Sequence, residues 1–271
     1  MKLLGLILSD VKEGLRYECP AIALVVAVAI LSCASLWLSD CEGVRSLGDY
    51  LTNMFLGMGS YTFNISSPFK LPVAWLLLLF SLLFATLRYP YKDLYGMGAH
   101  VMMRSGSRLS WWWAKCLWVA LSVVLLCCLL VLVAVFWALV TAGTLSLHTT
   151  EFFLDYVAIR GDAAAYCEES VTYLASIFGW VLALGLVQLV ASVALKPAAG
   201  FVAMVSYLFF SSFYATPLLL GNYLMAQRSS AFGGIIDMMS GMPLSVAVSV
   251  FAVAVGAVLI QLMDVIERGE N

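Results

Sequence analysis

Residues 122–140 read SVVLLCCLLVLVAVFWALV, nineteen positions without a charge, a proline or a glycine. A run of that length matches the roughly 20 apolar residues that a helix needs to cross a hydrocarbon core about 30 Å thick. Its apolar residues follow one another without alternating, as do those of WLLLLFSLLF at 75–84. The strands of a membrane β-barrel would instead alternate apolar and polar over about ten residues. The fold class is therefore all-α.

Working outward, comparable runs lie near 20–38, 71–87, 116–143, 171–195, 198–220 and 244–263, and none contains Asp, Glu, Lys, Arg or His. The whole chain has 271 residues, 63% hydrophobic and 11% charged, with a mean hydropathy of +0.99. That balance lies far from a soluble domain and makes the lipid bilayer the solvent of most of the chain. The expectation is one integral membrane domain, 1–271, with six transmembrane helices. No linker rich in Pro, Gly or Ser divides it, and the net charge of −2 with no basic tail gives no footing for nucleic acid.

Cations in short loops are retained on the cytoplasmic side. Counting alternately along the chain, one side holds Lys2, Lys12, Arg16, Arg88, Lys92, Arg104, Arg108, Lys115, Lys196 and Arg268. The other holds Arg45, Lys70, Arg160 and Arg228. The expected orientation is multi-pass in the cell membrane with both termini cytoplasmic. At the N-terminus Leu4, Ile7, Val11 and Leu15 recur at helical spacing, flanked by cations. This reads as an interfacial helix feeding the first span, with a leader of chance periodicity as the alternative. Asp10, Lys12 and Glu13 interrupt what would be the apolar region of a signal peptide.

The polar outer segments are 39–70, 144–170 and 221–243. Asn64-Ile65-Ser66 in the first matches a glycosylation acceptor, a common chance tripeptide. The second reads as a solvated, partly helical cap. The third, GNYLMAQRSSAFGGIIDMMSGMP, is Gly-rich and weakly charged, so it reads either as a re-entrant hairpin surrounded by protein or as a surface loop. Cys41 and Cys167 both fall outside the spans: a disulfide between them and two reduced thiols are both open readings. The other five cysteines lie in or beside spans as small apolar packers.

Catalytic signatures are missing. No G-x-x-x-x-G-K-S/T offers backbone amides to a nucleotide, and neither His100 nor His148 belongs to an H-E-x-x-H helix. No G-x-S-x-G surrounds a serine. The deepest polar residues, Gln188, Ser192, Ser206, Ser211, Ser212, Thr216 and Gln261, are neutral. Hydrogen bonding between helices accounts for them, with Gly185, Ala252 and Gly256 allowing close approach. The chain is expected to be no enzyme and to bind no cofactor or metal.

The most informative stretch is RYPYKDLYGMGAHVMMRSGSRLSWWWAK, residues 88–115. Pro90 ends the second span. Tyr and Met mixed with cations make an interface-like surface, while Trp111, Trp112 and Trp113 stand where an aromatic belt anchors a span. With Gly96 and Gly98, the run VMMRSGSR at Val101 to Arg108, and WWWAK at Trp111 to Lys115, this stretch resembles the membrane permease subunits of bacterial ABC transporters of the type-2 exporter class. The order of elements is similar too, including the short LKPAAG turn at 195–200. The resemblance implies a cytoplasmic coupling helix between spans two and three, over 91–104, seated on a separate ABC ATP-binding subunit that holds ATP and Mg. The implied contact residues are Tyr91, Lys92, Asp93, Leu94, Tyr95, Met97, His100, Met103, Arg104 and Arg108. It further implies a second permease copy or sister permease, and a peptide or lipid-like cargo. The competing reading is a non-transporting assembly or scaffold protein that acts through its outer loops.

Overall fold

A computed structural model of the chain describes residues 2–39, 43–61, 69–87, 90, 92, 93, 108–159 and 163–263, except for the side chains of 2–13, 15–17, 163–165, 168 and 239. The described residues form helices and no strand, joined by two isolated backbone bridges, Ser46 with Thr144 and Ser229 with Ile236. The helices are α1 (Lys2–Trp37), α2 (Leu47–Met54), α3 (Val73–Ala85), α4 (Arg108–Val140), α5 (Glu151–Val157), α6 (Ala163–Leu195), α7 (Pro197–Phe213) and α8 (Met238–Leu262). Between α7 and α8 lie three short 3₁₀ turns, Leu220–Leu224, Ala226–Arg228 and Ser230–Phe232.

Six of these helices run alternately up and down. Gly14 and Glu18 of α1 meet Trp118 and Ser122 of α4, and Trp37 meets Trp137 with ring centroids 5.9 Å apart, so α1 and α4 are parallel. Gly185 of α6 rests on Val119 and Val123, while Trp112 Nε1 of α4 donates to the Val253 carbonyl of α8 at 3.0 Å; both α6 and α8 oppose α4. Gly200 of α7 presses on the backbone of Ala191, turning α7 back against α6. Trp75, near the start of α3, binds Leu224 beyond α7, and Phe84 near its end faces Phe201 near the start of α7. One end of the bundle thus carries Arg108, and the opposite end carries Asp49.

Among the described residues, four helices contain windows long and apolar enough to cross a membrane: Glu18–Trp37, Arg108–Val140, Glu169–Leu195 and Ser240–Leu262. α3 and α7 are apolar but have 13 and 17 residues. At 1.5 Å per residue they measure about 20 Å and about 26 Å, less than a hydrocarbon core.

Several boundaries differ from the sequence reading. The N-terminal stretch and the first apolar run are one continuous helix, α1, with Pro20 inside it. Helix α4 begins eight residues before the expected 116, at Arg108, and buries Trp111 and Trp112, leaving Trp113 the exposed member of the triplet. Helix α7 ends at Phe213, seven residues short of 220, because the Ser211, Ser212 and Tyr214 carbonyls are taken by the Arg228 side chain. Helix α2, inside the expected loop 39–70, carries a capping box in which Asp49 N donates to Ser46 Oγ and Ser46 N donates to Asp49 Oδ2. The segment 144–170, read as a solvated and partly helical cap, contains α5, which buries Phe152, Phe153 and Leu154.

The close approaches at Gly185 and Gly256 fall where the small residues suggested; a Cβ at 256 would overlap the Trp112 ring. The neutral polar residues behave differently. Ser192 Oγ donates to the Gln188 carbonyl at 2.8 Å, Ser211 Oγ to Tyr207 at 3.1 Å and Ser212 Oγ to Leu208 at 3.5 Å, all within their own helices. A serine hydroxyl reaches the carbonyl one turn back more readily than a neighbouring helix.

Candidate functional site

Among the described residues four charged side chains are buried, and each fastens a different junction of the bundle. At the Arg108 end, Lys115 of α4 is 1% exposed, and its Nζ lies 2.8 Å from Asp93 Oδ2. The same carboxylate oxygen accepts from Trp111 Nε1 at 2.8 Å, and the Lys115 ammonium stands 5.5 Å from the Trp111 ring centroid. Asp93 belongs to the segment that follows α3, so this cluster ties that segment to the first two turns of α4. Pro90 beside it is buried and Lys92 is exposed. Arg108 reaches across to the end of α8, where Nη1 donates to the Gln261 and Met263 carbonyls at 3.0 and 2.8 Å. A cation on the last carbonyls of a helix is favoured by the helix dipole as well as by the bonds themselves.

Of the residues implied as contacts for an ATP-binding subunit, Lys92, Asp93 and Arg108 are therefore located. Lys92 is exposed, Asp93 turns inward to Lys115, and Arg108 caps α8. Tyr91, Leu94, Tyr95, Met97, His100, Met103 and Arg104 lie outside the described residues, as does Cys41. Cys167 is half-buried near the start of α6, and burial raises its thiol pKa.

Glu18 is the second buried charge. It is the first residue of the first membrane-length stretch, two residues before the point where the apolar run was read to begin, and is fully buried between α1 and α4. Its Oε1 accepts from Ser122 Oγ at 2.5 Å, while Oε2 has no partner among the described residues. The flat face of Gly14 against Trp118 brings the two helices close enough for this bond.

The other two are at the opposite end. Asp49 accepts from Ser46 N at 2.7 Å, Thr150 N at 2.8 Å and Thr150 Oγ1 at 2.7 Å, and Ser46 Oγ donates to the His148 carbonyl at 2.7 Å. Burial raises its carboxyl pKa above the ordinary value, and these hydrogen bonds pull in the opposite direction. Two segments far apart in the chain, 39–70 and 144–170, are joined through this one carboxylate.

Arg228 is fully buried within the segment 221–243. Its Nε donates to the Met58 carbonyl at 3.0 Å, Nη1 to Ser211 at 2.5 Å and to Asn222 Oδ1, and Nη2 to Ser212 at 2.7 Å. No carboxylate pairs with it among the described residues, and burial lowers its pKa to about 10. The planar fork of donors suits this cage of oxygens. Around it the segment is enclosed by protein: Ala226 N and Gln227 N donate to Phe55 and Leu56 at 2.9 and 3.2 Å, and Trp75 Nε1 donates to Leu224 at 2.9 Å. A surface loop does not describe it.

Sequence reading counted Arg228, Asp49 and Lys115 only as loop charges and placed Glu18 before the membrane. The local signal for Asp49 was Ser46-Leu47-Gly48-Asp49, a capping-box spacing with Asp in the usual Glu position. For Lys115 and Glu18 it was a charge within two residues of the start of an unbroken apolar run. Arg228 had none, since its partners are set by the tertiary fold. Among the described residues no three His, Cys, Asp or Glu side chains gather as a metal site would require.

These features define a class: the chain is an α-helical membrane protein whose helices are fastened at both ends by buried charge. No known family model, no curated protein and no solved structure matches it.

Proposed function

We propose that the chain is the transmembrane permease subunit of an ATP-driven ABC exporter, with α3 and α7 completing six passes, both termini in the cytoplasm and a peptide or lipid-like cargo. The observation that carries this reading is the clasp of Asp93 by Lys115 and Trp111. An engine docked on the segment between α3 and α4 must transmit displacement to a spanning helix. A freely hinged loop would absorb it. A buried ion pair with a second hydrogen bond on the same carboxylate makes a stiff joint instead, and it fastens the start of that segment to α4. Lys92 next to the joint is exposed, and the larger share of cations read on this side of the sequence supports a cytoplasmic location for this end.

The ATP-binding subunit, with its ATP and Mg, and a second permease copy or sister permease complete the proposed assembly. The test is co-purification of the detergent-solubilised protein with a P-loop ATPase. Lys92→Glu is expected to weaken the association, and a Gly/Ser linker in place of 91–104 to abolish it. Full recovery of the complex with that linker overturns the reading.

A further inference from the structure

Between α4 and α6 lies a cavity of about 320 Å³ that belongs to none of the buried charge clusters. The two helices touch where Gly185 rests on Val119 and Val123, and they diverge toward the Asp49 end, where α2 inserts between them. Leu51 of α2 and Phe55 just after it, with Leu130 and Ile177, form a buried floor, whereas Val131 and Phe178 on the rim are 40% and 41% exposed. Every side chain lining the cavity is apolar or a thiol, Cys127 being the thiol.

We propose that this groove holds one acyl chain of a bilayer phospholipid as a resident part of the fold. Three observations select that occupant. The groove opens between two helices that both contain membrane-length apolar windows, so the medium at its mouth is hydrocarbon. Its walls present no charged side chain and no hydroxyl or amide to orient a polar solute, and a dry apolar cavity takes up apolar ligands and excludes water. Its depth arises from the wedge made by α2, which the chain's own side chains leave unfilled, and an unfilled void forfeits the dispersion contacts of its lining. An acyl chain restores those contacts without requiring any hydrogen bond.

This inference rests on the membrane reading alone and stands or falls separately from the permease assignment. Protein reconstituted in phosphatidylcholine vesicles, extracted into mild detergent and examined by native mass spectrometry is expected to retain one phospholipid per chain. Ala175→Trp, placed at the exposed rim, is expected to lower the retained fraction about tenfold, and Val131→Phe, entering from α4, to act in the same direction. Val250→Trp, on the exposed face of α8, leaves retention unchanged. Melting temperatures measured alongside identify a variant that has failed to fold, in which case the other filling variant decides. Equal retention in a folded filling variant and the wild type overturns the proposal. So does a lipid-free wild-type chain, whether monomeric or held as a dimer that the filling variants dissociate.

Discussion

Lys115 Nζ and Asp93 Oδ2 stand 2.8 Å apart, joining a side chain of α4 that is 1% exposed to the segment that follows α3. Breaking such a pair leaves one charge without its partner in a poorly solvated place. Lys115→Met or Asp93→Asn alone is expected to cost about 2–4 kcal/mol, somewhat less than a pair with no solvent contact. The double variant should recover part of that loss, with a coupling of about 1–3 kcal/mol in a double-mutant cycle. Denaturant unfolding of the four proteins in one detergent gives the number, and strictly additive losses would show the pair to be incidental.

Arg228→Lys is expected to resemble a deletion. Lysine keeps the charge but offers a point donor on a flexible stem, and it cannot serve Met58, Ser211, Ser212 and Asn222 together. Stranding buried carbonyls should cost about 2–4 kcal/mol. Limited proteolysis is then expected to cut within 214–237 in the variant and to spare that segment in the wild type.

The crossing of α4 and α8 depends on the absence of a side chain at Gly256, since a Cβ there overlaps Trp112. Gly256→Val is expected to lose about 1–3 kcal/mol or more by overpacking. Gly59→Ala provides the comparison, because the nearest atom to an added Cβ is Gln227 Oε1 at 3.9 Å. A lower melting temperature for the first and an unchanged one for the second are the expected pair of results.

Asp49 gives the stability of the junction between α2 and Thr150 a pH dependence with a definite sign. Its folded-state pKa is raised by burial above the unfolded value. Between those two values the folded protein binds the extra proton, so the Asp49 contribution falls as pH rises through that window and is greatest below it. Asp49→Asn should remove that slope. Melting temperature measured across the acidic range for both proteins tests it, and identical slopes would count against the assignment.

How much was legible in advance follows from the range of each interaction. The apolar runs around α1, α4, α6 and α8 are sums over neighbours in sequence, and hydropathy along the chain is such a sum. The close approaches at Gly185 and Gly256 were legible for a similar reason: a small residue in an apolar run has few other uses. Helix α2 was missed although its capping box stood in the sequence, because polar and glycine residues on either side read as loop. The early end of α7 was not legible, since the group that takes its last carbonyls is Arg228, beyond the helix in a segment of 3₁₀ turns.

The sequence by itself determined that this chain dissolves in lipid as helices and which stretches do so, because a peptide backbone in hydrocarbon must satisfy its own hydrogen bonds and local apolar length decides where that happens. Only the tertiary structure decided where the charges go. Arg228 finds Met58 across 170 positions, and Thr150 finds Asp49 across 101. A buried charge is tolerated only where partners converge on it from remote parts of the chain, and that convergence is a property of the folded bundle.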